Sequence, residues 1–227
     1  MGTSKGYIPP TTQHWSNAKR AVTSFENNRD YSSKANAASK FATAMKNDLP
    51  YKSSFQFAAT NVLGFAQKIA SIGIQEALRA YDREDLIGKS PEVVWLELIN
   101  DFTNAGATTE DNLAADALSQ ALDNLNIDDF SQMGNISTEL LLKEMLKEYI
   151  KSYFDFCYEE KISKGRGPAR VSEIINDMHE YIESSIDGYL DLSKLYEVDF
   201  SNLSASKIVS DSLRDALSVL EQYYGEE

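Results

Sequence analysis

Apolar residues recur along most of the chain at the three- and four-residue spacing of amphipathic helices. The clearest stripe runs from Leu141 to Cys157, and a similar one runs from Val171 to Leu190. Residues 54–71 are apolar around much of the helix circumference, which predicts a helix central to the fold. No long window alternates apolar and polar residues as a strand would. The pattern therefore predicts an all-α fold, a bundle of about eight to nine helices.

Capping residues and breakers divide this pattern into separate helices. Ser16 is expected to cap the first helix, and the second is expected to begin at Ser32 or Ser33. Gly73 marks a break after the apolar helix. The later starts expected from caps or first-turn prolines are Ser90 with Pro91, Thr108 or Thr109, Ser137, Pro168 and Ser204.

The beginning of the chain does not follow the helical pattern. Gly2 and Gly6 disfavour a helix because glycine loses the most backbone freedom there. Pro9 and Pro10 then interrupt regular structure. We therefore expect a flexible N-terminal tail at residues 1–15, an N-terminal helical part at 16–81 and a C-terminal helical bundle at 82–227.

A polar terminus of this kind is accessible to other proteins. Gly2 is small enough for the initiator-methionine peptidase to remove Met1. Removal would leave an unhindered α-amine on Gly2, largely unprotonated above about pH 8 and then usable as a nucleophile. The alternative is an ordinary disordered start.

Charge is distributed unevenly along the chain. The formal net charge is −13, with +5 on residues 1–52 and −18 on the remainder. The acidic remainder repels phosphate backbones, so we expect no direct binding of nucleic acid through it. The basic N-terminal part could contact a nucleotide or an acidic partner, or it could dock onto the acidic body of its own chain.

Composition indicates a cytoplasmic protein. No apolar run approaches the roughly 18 residues of a transmembrane helix, and the start lacks the apolar stretch of a signal peptide. Cys157 is the single cysteine, which fits a reducing compartment. It lies on the apolar stripe of its helix and is expected to be a small core residue.

Residues with catalytic or metal-binding chemistry are scarce, so we expect no enzymatic activity, no metal and no cofactor. His14 lies in the predicted tail, and His179 in a predicted helix, with no other ligand at metal-binding spacing. The acidic pairs Asp128–Asp129 and Glu159–Glu160 are expected to be solvated. Seven tyrosines are expected to pack, with a partner-binding groove as the alternative: Tyr149, Tyr153, Tyr158, Tyr181, Tyr189, Tyr223 and Tyr224.

Residues Gly88, Lys89 and Ser90 copy the end of a phosphate-binding P-loop. That motif needs a glycine five residues before Gly88, and Arg83 stands there. It also needs a preceding strand. Ser90 followed by Pro91 is instead typical of a helix start.

Several stretches spread over most of the chain carry a resemblance to a known family. They are residues 1–7 (MGTSKGY) with 15–22, residues 83–92 (REDLIGKSPE) with 95–99, residues 116–122 (DALSQAL) and residues 211–220 (DSLRDALSVL). Together they resemble QatB proteins, which belong to the four-gene Qat anti-phage defence system of bacteria. Residues 8–12 depart from the family, whose members often carry a longer glycine- and proline-rich stretch there.

The resemblance implies partners rather than an activity. The Qat set pairs QatB with an ATPase, a QueC-like enzyme and a TatD-like nuclease. QueC enzymes activate the carboxylate of a 7-deazaguanine with ATP and add a nitrogen nucleophile, a role that a protein amine could fill. The resemblance thus implies that Gly2 is modified, with the helical body as a docking surface. The residues implied to bind the enzyme are Thr3, Ser4, Lys5, Gly6 and Tyr7.

Two other classes of function remain open from the sequence. One is a structural adaptor that holds the ATPase and the nuclease together, with the tail as a binding peptide. The second is an acidic mimic of DNA that occupies a nuclease. Acidic side chains arranged in duplex-like rows would favour the mimic, and scattered ones would count against it.

Overall fold

The computed structural model describes residues 12–49, 53–202 and 205–222. Within these ranges the chain forms nine α-helices and no strand, which confirms the predicted fold class. The helices are α1 (Gln13–Asn28), α2 (Tyr31–Asp48), α3 (Ser53–Ile72), α4 (Ile74–Ala80), α5 (Pro91–Phe102), α6 (Thr109–Asn124), α7 (Thr138–Ser163), α8 (Pro168–Tyr189) and α9 (Ala205–Gln222). Short 3₁₀ helices lie between them at Glu84–Leu86, Asn104–Gly106, Phe130–Asn135 and Ser193–Glu197.

Helix α1 begins earlier than the sequence pattern predicted. Thr12 is its N-cap, and the Thr12 hydroxyl oxygen accepts a hydrogen bond from the Trp15 backbone amide at 3.5 Å. The helix begins at Gln13, so residues 13–15 belong to it and not to the tail, and Trp15 is buried. The predicted cap, Ser16, lies inside the helix. The indole packs against residues distant in sequence, and such contacts cannot be predicted from the residues next to a helix start.

The junction between α1 and α2 also differs from the prediction. Arg29 ends α1 in a left-handed conformation, with φ 55°. Asp30 caps α2, and its carboxylate accepts a hydrogen bond from the Ser33 amide at 2.7 Å. Hydrogen bonds from Ser33 hold the pKa of Asp30 below its usual range. The predicted starts, Ser32 and Ser33, therefore lie within the first turn of a helix that begins at Tyr31.

The later helix starts predicted at Ser90, Thr108, Ser137 and Pro168 are confirmed, whereas Ser204 lies outside the described residues. The Thr108 hydroxyl accepts from the Asp111 amide at 3.1 Å, and the Asp111 carboxylate accepts from the Thr108 amide at 2.9 Å, which closes a capping box. The Ser137 hydroxyl accepts from the Leu140 amide at 3.2 Å at the start of α7. Pro168 opens α8, as expected of a proline in the first turn.

The described residues form two compact units, each assembled from separate stretches of the chain. The first unit takes its described residues from Met1–Tyr51, Ile150–Leu190 and Arg214–Glu227, and the second from Lys52–Tyr149 and Asp191–Leu213. Helices α7 and α9 contribute residues to both units. The domain division drawn from the sequence, at residues 16–81 and 82–227, stays a prediction.

An aromatic cluster forms the core of the first unit. The Phe41 ring of α2 meets the Phe154 ring of α7 edge to face, with ring centres 5.4 Å apart. Tyr158 and Trp15 lie 6.1 and 6.3 Å from Phe41. Such ring pairs stabilise a core beyond the area they bury. The cluster fixes α1 and α2 against the C-terminal part of α7.

Helix α3 supplies the centre of the second unit, as its apolar circumference predicted. The Phe65 ring lies 5.1 Å from Tyr81, 5.6 Å from Phe102 and 6.0 Å from Phe130. Two residues further along α3, the Gln67 amide nitrogen donates to the Val198 carbonyl at 2.8 Å. The apolar face thus packs against three other segments. The Gln67 side chain binds the segment that leads to α9.

Candidate partner-binding surfaces

The predicted site residues precede the part of the chain that the structure describes. Gly2, Thr3, Ser4, Lys5, Gly6 and Tyr7 lie outside the described residues, which begin at Thr12. An extended chain spans at most about 3.5 Å per residue. Gly2 can therefore lie no farther than about 35 Å from the start of α1. This limit bounds the region in which a partner that holds Gly2 would meet the folded chain.

The first turn of α1, to which those residues are attached, is firmly anchored. Trp15 is 2% exposed, and its indole nitrogen donates a hydrogen bond to the Asp48 carboxylate of α2 at 2.8 Å. Its ring also lies 6.2 Å from Tyr153 of α7. The buried indole and its satisfied N–H hold the helix start in one position. The N-terminal segment is thus joined to a rigid base.

A groove of about 350 Å³ in the first unit is lined by tyrosines and small residues: Tyr31, Tyr181, Ser184, Ser185, Gly188 and Tyr189. The Tyr31 and Tyr181 rings meet edge to face, 6.0 Å apart. Burial raises the pKa of Tyr181 to about 12.

The expectation that Tyr189 packs was wrong, because its side chain is 60% exposed. Four other tyrosines are buried as expected: Tyr149, Tyr153, Tyr158 and Tyr181. Tyr223 and Tyr224 lie outside the described residues.

A second groove, of about 200 Å³, lies in the second unit. Its apolar lining includes Leu78, Leu86, Val94 and Phe130. On α5, Val93 and Leu96 are exposed one turn apart. The Gly88–Ser90 stretch lies in this region and follows a 3₁₀ helix rather than a strand, as expected for a helix start and not for a P-loop.

Arg83 fixes the loop that forms one side of this second groove. Its guanidinium bonds Asp85 at 3.0 Å and Glu97 at 3.1 Å, and it also bonds Asp101. Glu97 and Asp101 belong to α5. The Arg83 guanidinium holds the pKa of Asp85 below its usual range. One cation thus ties the loop between α4 and α5 to the following helix.

We expect Arg83→Gln to loosen this loop. The amides of Ile87 and Lys89, which donate to carbonyls within the loop, should exchange with solvent about fivefold faster once the ion pairs are lost. Arg79→Gln is the matched control, because Arg79 pairs with Glu76 of its own helix and with no other acid in the described ranges. Equal exchange at both amides in the two variants would contradict this role for Arg83.

The described residues offer little chemistry. No group of three or more histidine, cysteine or acidic side chains among them is placed to hold a metal ion. His179 meets Asp155 at 2.9 Å, which joins α8 to α7, and Cys157 is buried as expected.

His14 lies on α1 rather than in the tail. Asp128, Glu159 and Glu160 are exposed, as expected for solvated acids, and Asp129 is partly exposed and caps the 3₁₀ helix at Phe130. No helix in the described ranges has the length and apolar character needed to cross a membrane.

The cations of α1 and α2 fall into two groups. Arg29 pairs with Glu173 and Asp177 of α8, and Lys46 pairs with Glu221 of α9. These two cations dock onto the acidic body, as one reading of the sequence expected. The other cations have no carboxylate within ion-pairing distance in the described part of the chain: Lys19, Arg20, Lys34 and Lys40.

These features define an all-helical protein of two compact units whose described surface offers grooves and not a metal centre. A family model described as QatB, Qat anti-phage system associated protein QatB, matches residues 53–220, which is more than half of the chain. The chain belongs to the QatB family and is thus a component of the Qat anti-phage system. No curated protein and no solved structure matches the chain.

Proposed function

We propose that this chain is a non-enzymatic member of the Qat system that serves as the protein substrate and binding partner of a QueC-like enzyme. The modified residue is Gly2, after removal of Met1, and the group added is a 7-deazaguanine. The observation that carries the proposal is Gly2 at the second position of a QatB-family chain. The QueC-like enzyme itself is implied by the family resemblance.

The chemistry of the step suits an N-terminal glycine. ATP activates the 7-deazaguanine carboxylate, and the unprotonated Gly2 amine attacks the activated carbonyl carbon. The C–O bond to the activating group breaks, that group leaves with the bonding electrons, the amine loses one proton, and an amide forms. No oxidant or reductant is needed. Glycine places no side chain beside the attacking nitrogen.

The anchoring of α1 supports this role. Because Trp15 holds the helix start, the ten residues from Gly2 to Thr11 are joined to a fixed point of the fold. A tethered peptide meets an enzyme bound to the folded body at a raised effective concentration. The proposal therefore assigns recognition to both the tail and the body.

Two variants test which amine is modified. The chain is co-expressed with the QueC-like enzyme, and the mass of its N-terminal peptide is measured. We expect an added mass on wild type and on Lys5→Arg, and none on Gly2→Glu, in which the bulky second residue keeps Met1 in place. Addition that survives Gly2→Glu and disappears in Lys5→Arg would assign the reaction to the Lys5 side chain instead.

A structural adaptor for the system's ATPase and TatD-like nuclease is the second candidate. The exposed apolar side chains Val93 and Leu96 beside the groove of the second unit favour it, since such patches mark interaction sites. Binding of either partner after deletion of residues 1–8 would support it. An acidic DNA mimic is less favoured, because carboxylates such as Glu26, Glu173 and Asp101 pair with cations of the chain itself.

A further inference from the structure

An open groove with a positive lining runs between α1 and α2. It has a volume of about 400 Å³, and none of the described residues that line it is acidic. We call this the basic groove, and its lining residues are Asn17, Arg20, Ala21, Ser24, Asn36 and Lys40. It lies outside residues 53–220, so the family match says nothing about it.

Within the described residues, no carboxylate neutralises the charges of this groove. There the Arg20 guanidinium donates to the Ser16 carbonyl at 3.3 Å and to the Asn17 side chain at 3.2 Å, both within its own helix. Lys40 is exposed. A chain with a net charge of −13 could have neutralised these cations, as it does Arg29 and Lys46. The groove therefore presents uncompensated positive charge to an external anion.

We propose that the basic groove docks a carboxylate-rich surface of the enzyme that takes the Gly2 amine. The inference rests on the proposed function and adds the site and the chemistry of the contact. Asn17 and Ser24 lie about 7.5 and 18 Å along α1 from its N-cap, at 1.5 Å per residue. Both lie within the reach of about 35 Å that the segment from Gly2 allows. An enzyme that holds Gly2 can therefore contact the basic groove at the same time.

An acidic protein surface suits the groove better than a nucleic acid does. The excess of positive charge lies in residues 1–52, which include the α1–α2 hairpin and carry +5, whereas the chain beyond residue 52 carries −18. Charges are screened over about 8 Å at physiological ionic strength, so a compact acidic patch senses mainly the hairpin. A long phosphate backbone would extend to the acidic remainder and be repelled. The asparagine and serine side chains add donors for carboxylate oxygens.

The test compares two double charge reversals in the full chain. R20E/K40E reverses the groove, and K164E/K207E makes the same change in net charge at exposed lysines elsewhere. Steady-state modification by the purified QueC-like enzyme is measured for both. We expect R20E/K40E to raise KM about tenfold with unchanged kcat, because it removes docking and not chemistry. We expect K164E/K207E to match wild type. The KM of wild type should rise with salt, and that of R20E/K40E should stay flat.

Direct binding separates failure of this inference from failure of the proposed function. If wild type is modified and R20E/K40E has the wild-type KM, the docking site is overturned and the substrate role stands. If wild type is not modified, the substrate role fails. Docking then survives only if the enzyme binds wild type and K164E/K207E but not R20E/K40E. Circular dichroism checks that all variants keep their helical content.

Other occupants of the groove give different results. A labelled 20-nucleotide DNA that binds wild type and not R20E/K40E, with no effect on KM, would assign the groove to nucleic acid and overturn the proposal. Sedimentation of wild type as a dimer that R20E/K40E dissociates, again without a change in KM, would assign it to a second copy of the chain and overturn it equally.

Discussion

The double variant K161A/R166A is expected to lower the free energy of unfolding by about 3 kcal/mol, because it leaves a buried carboxylate without a partner. That carboxylate belongs to Glu26 of α1, whose side chain is 4% exposed. Lys161 pairs with one of its oxygens, and Arg166 pairs with the other at 3.1 Å. Urea unfolding followed by circular dichroism measures the change.

Two further variants separate burial from charge. K164A/R170A removes two cations from the same region whose carboxylate partners are well exposed, and it should change stability by less than about 0.5 kcal/mol. Adding Glu26→Met to K161A/R166A replaces the buried charge with an apolar side chain and should restore most of the loss. A triple variant as unstable as the double would show that the loss comes from packing and not from an unpaired charge.

Gly64→Ala is expected to destabilise the protein by about 1–3 kcal/mol, although alanine ordinarily favours a helix over glycine. A Cβ at Gly64 in α3 would lie 2.9 Å from the Phe200 carbonyl oxygen and 3.0 Å from the Tyr81 hydroxyl. The carbonyl belongs to backbone whose neighbouring amide donates to Gln67, so it cannot move freely. The helix and this segment must therefore separate.

Gly188→Ala provides the control within another helix. A Cβ at Gly188 in α8 would meet no atom within 4 Å. This variant should gain about 0.4–1 kcal/mol by restricting the unfolded chain. Thermal unfolding of the two variants should shift in opposite directions, and a shift in the same direction would refute the close approach of α3 to Phe200.

Local signals allowed much of the fold to be predicted. Thr108, Ser137 and Pro168 mark helix starts because capping depends on the next few residues only. The central position of α3 could also be predicted locally, because the apolar residues around its circumference lie within one helix. Interactions between distant residues could not be read in this way. The start of α1 depends on Trp15, whose hydrogen-bond partner lies 33 residues away.

The candidate site was predictable in part. The sequence located the excess of positive charge in residues 1–52 but could not separate neutralised cations from free ones. Arg29 pairs with Asp177, which lies 148 residues away in sequence, and Lys46 pairs with Glu221, which lies 175 residues away. The basic groove at Arg20 and Lys40 became visible only once these pairs were known. Tyr189 shares the helical spacing of the buried tyrosines, yet it lies near the end of α8 and is exposed.

The intact mass of this chain, purified alone and then after co-expression with its genomic neighbours, tests the central claim most directly. We predict an added mass in the second sample only, located at Gly2 by fragmentation and accompanied by loss of Met1. Identical masses in the two samples, with the QueC-like enzyme active, would contradict the substrate role and favour a helical adaptor.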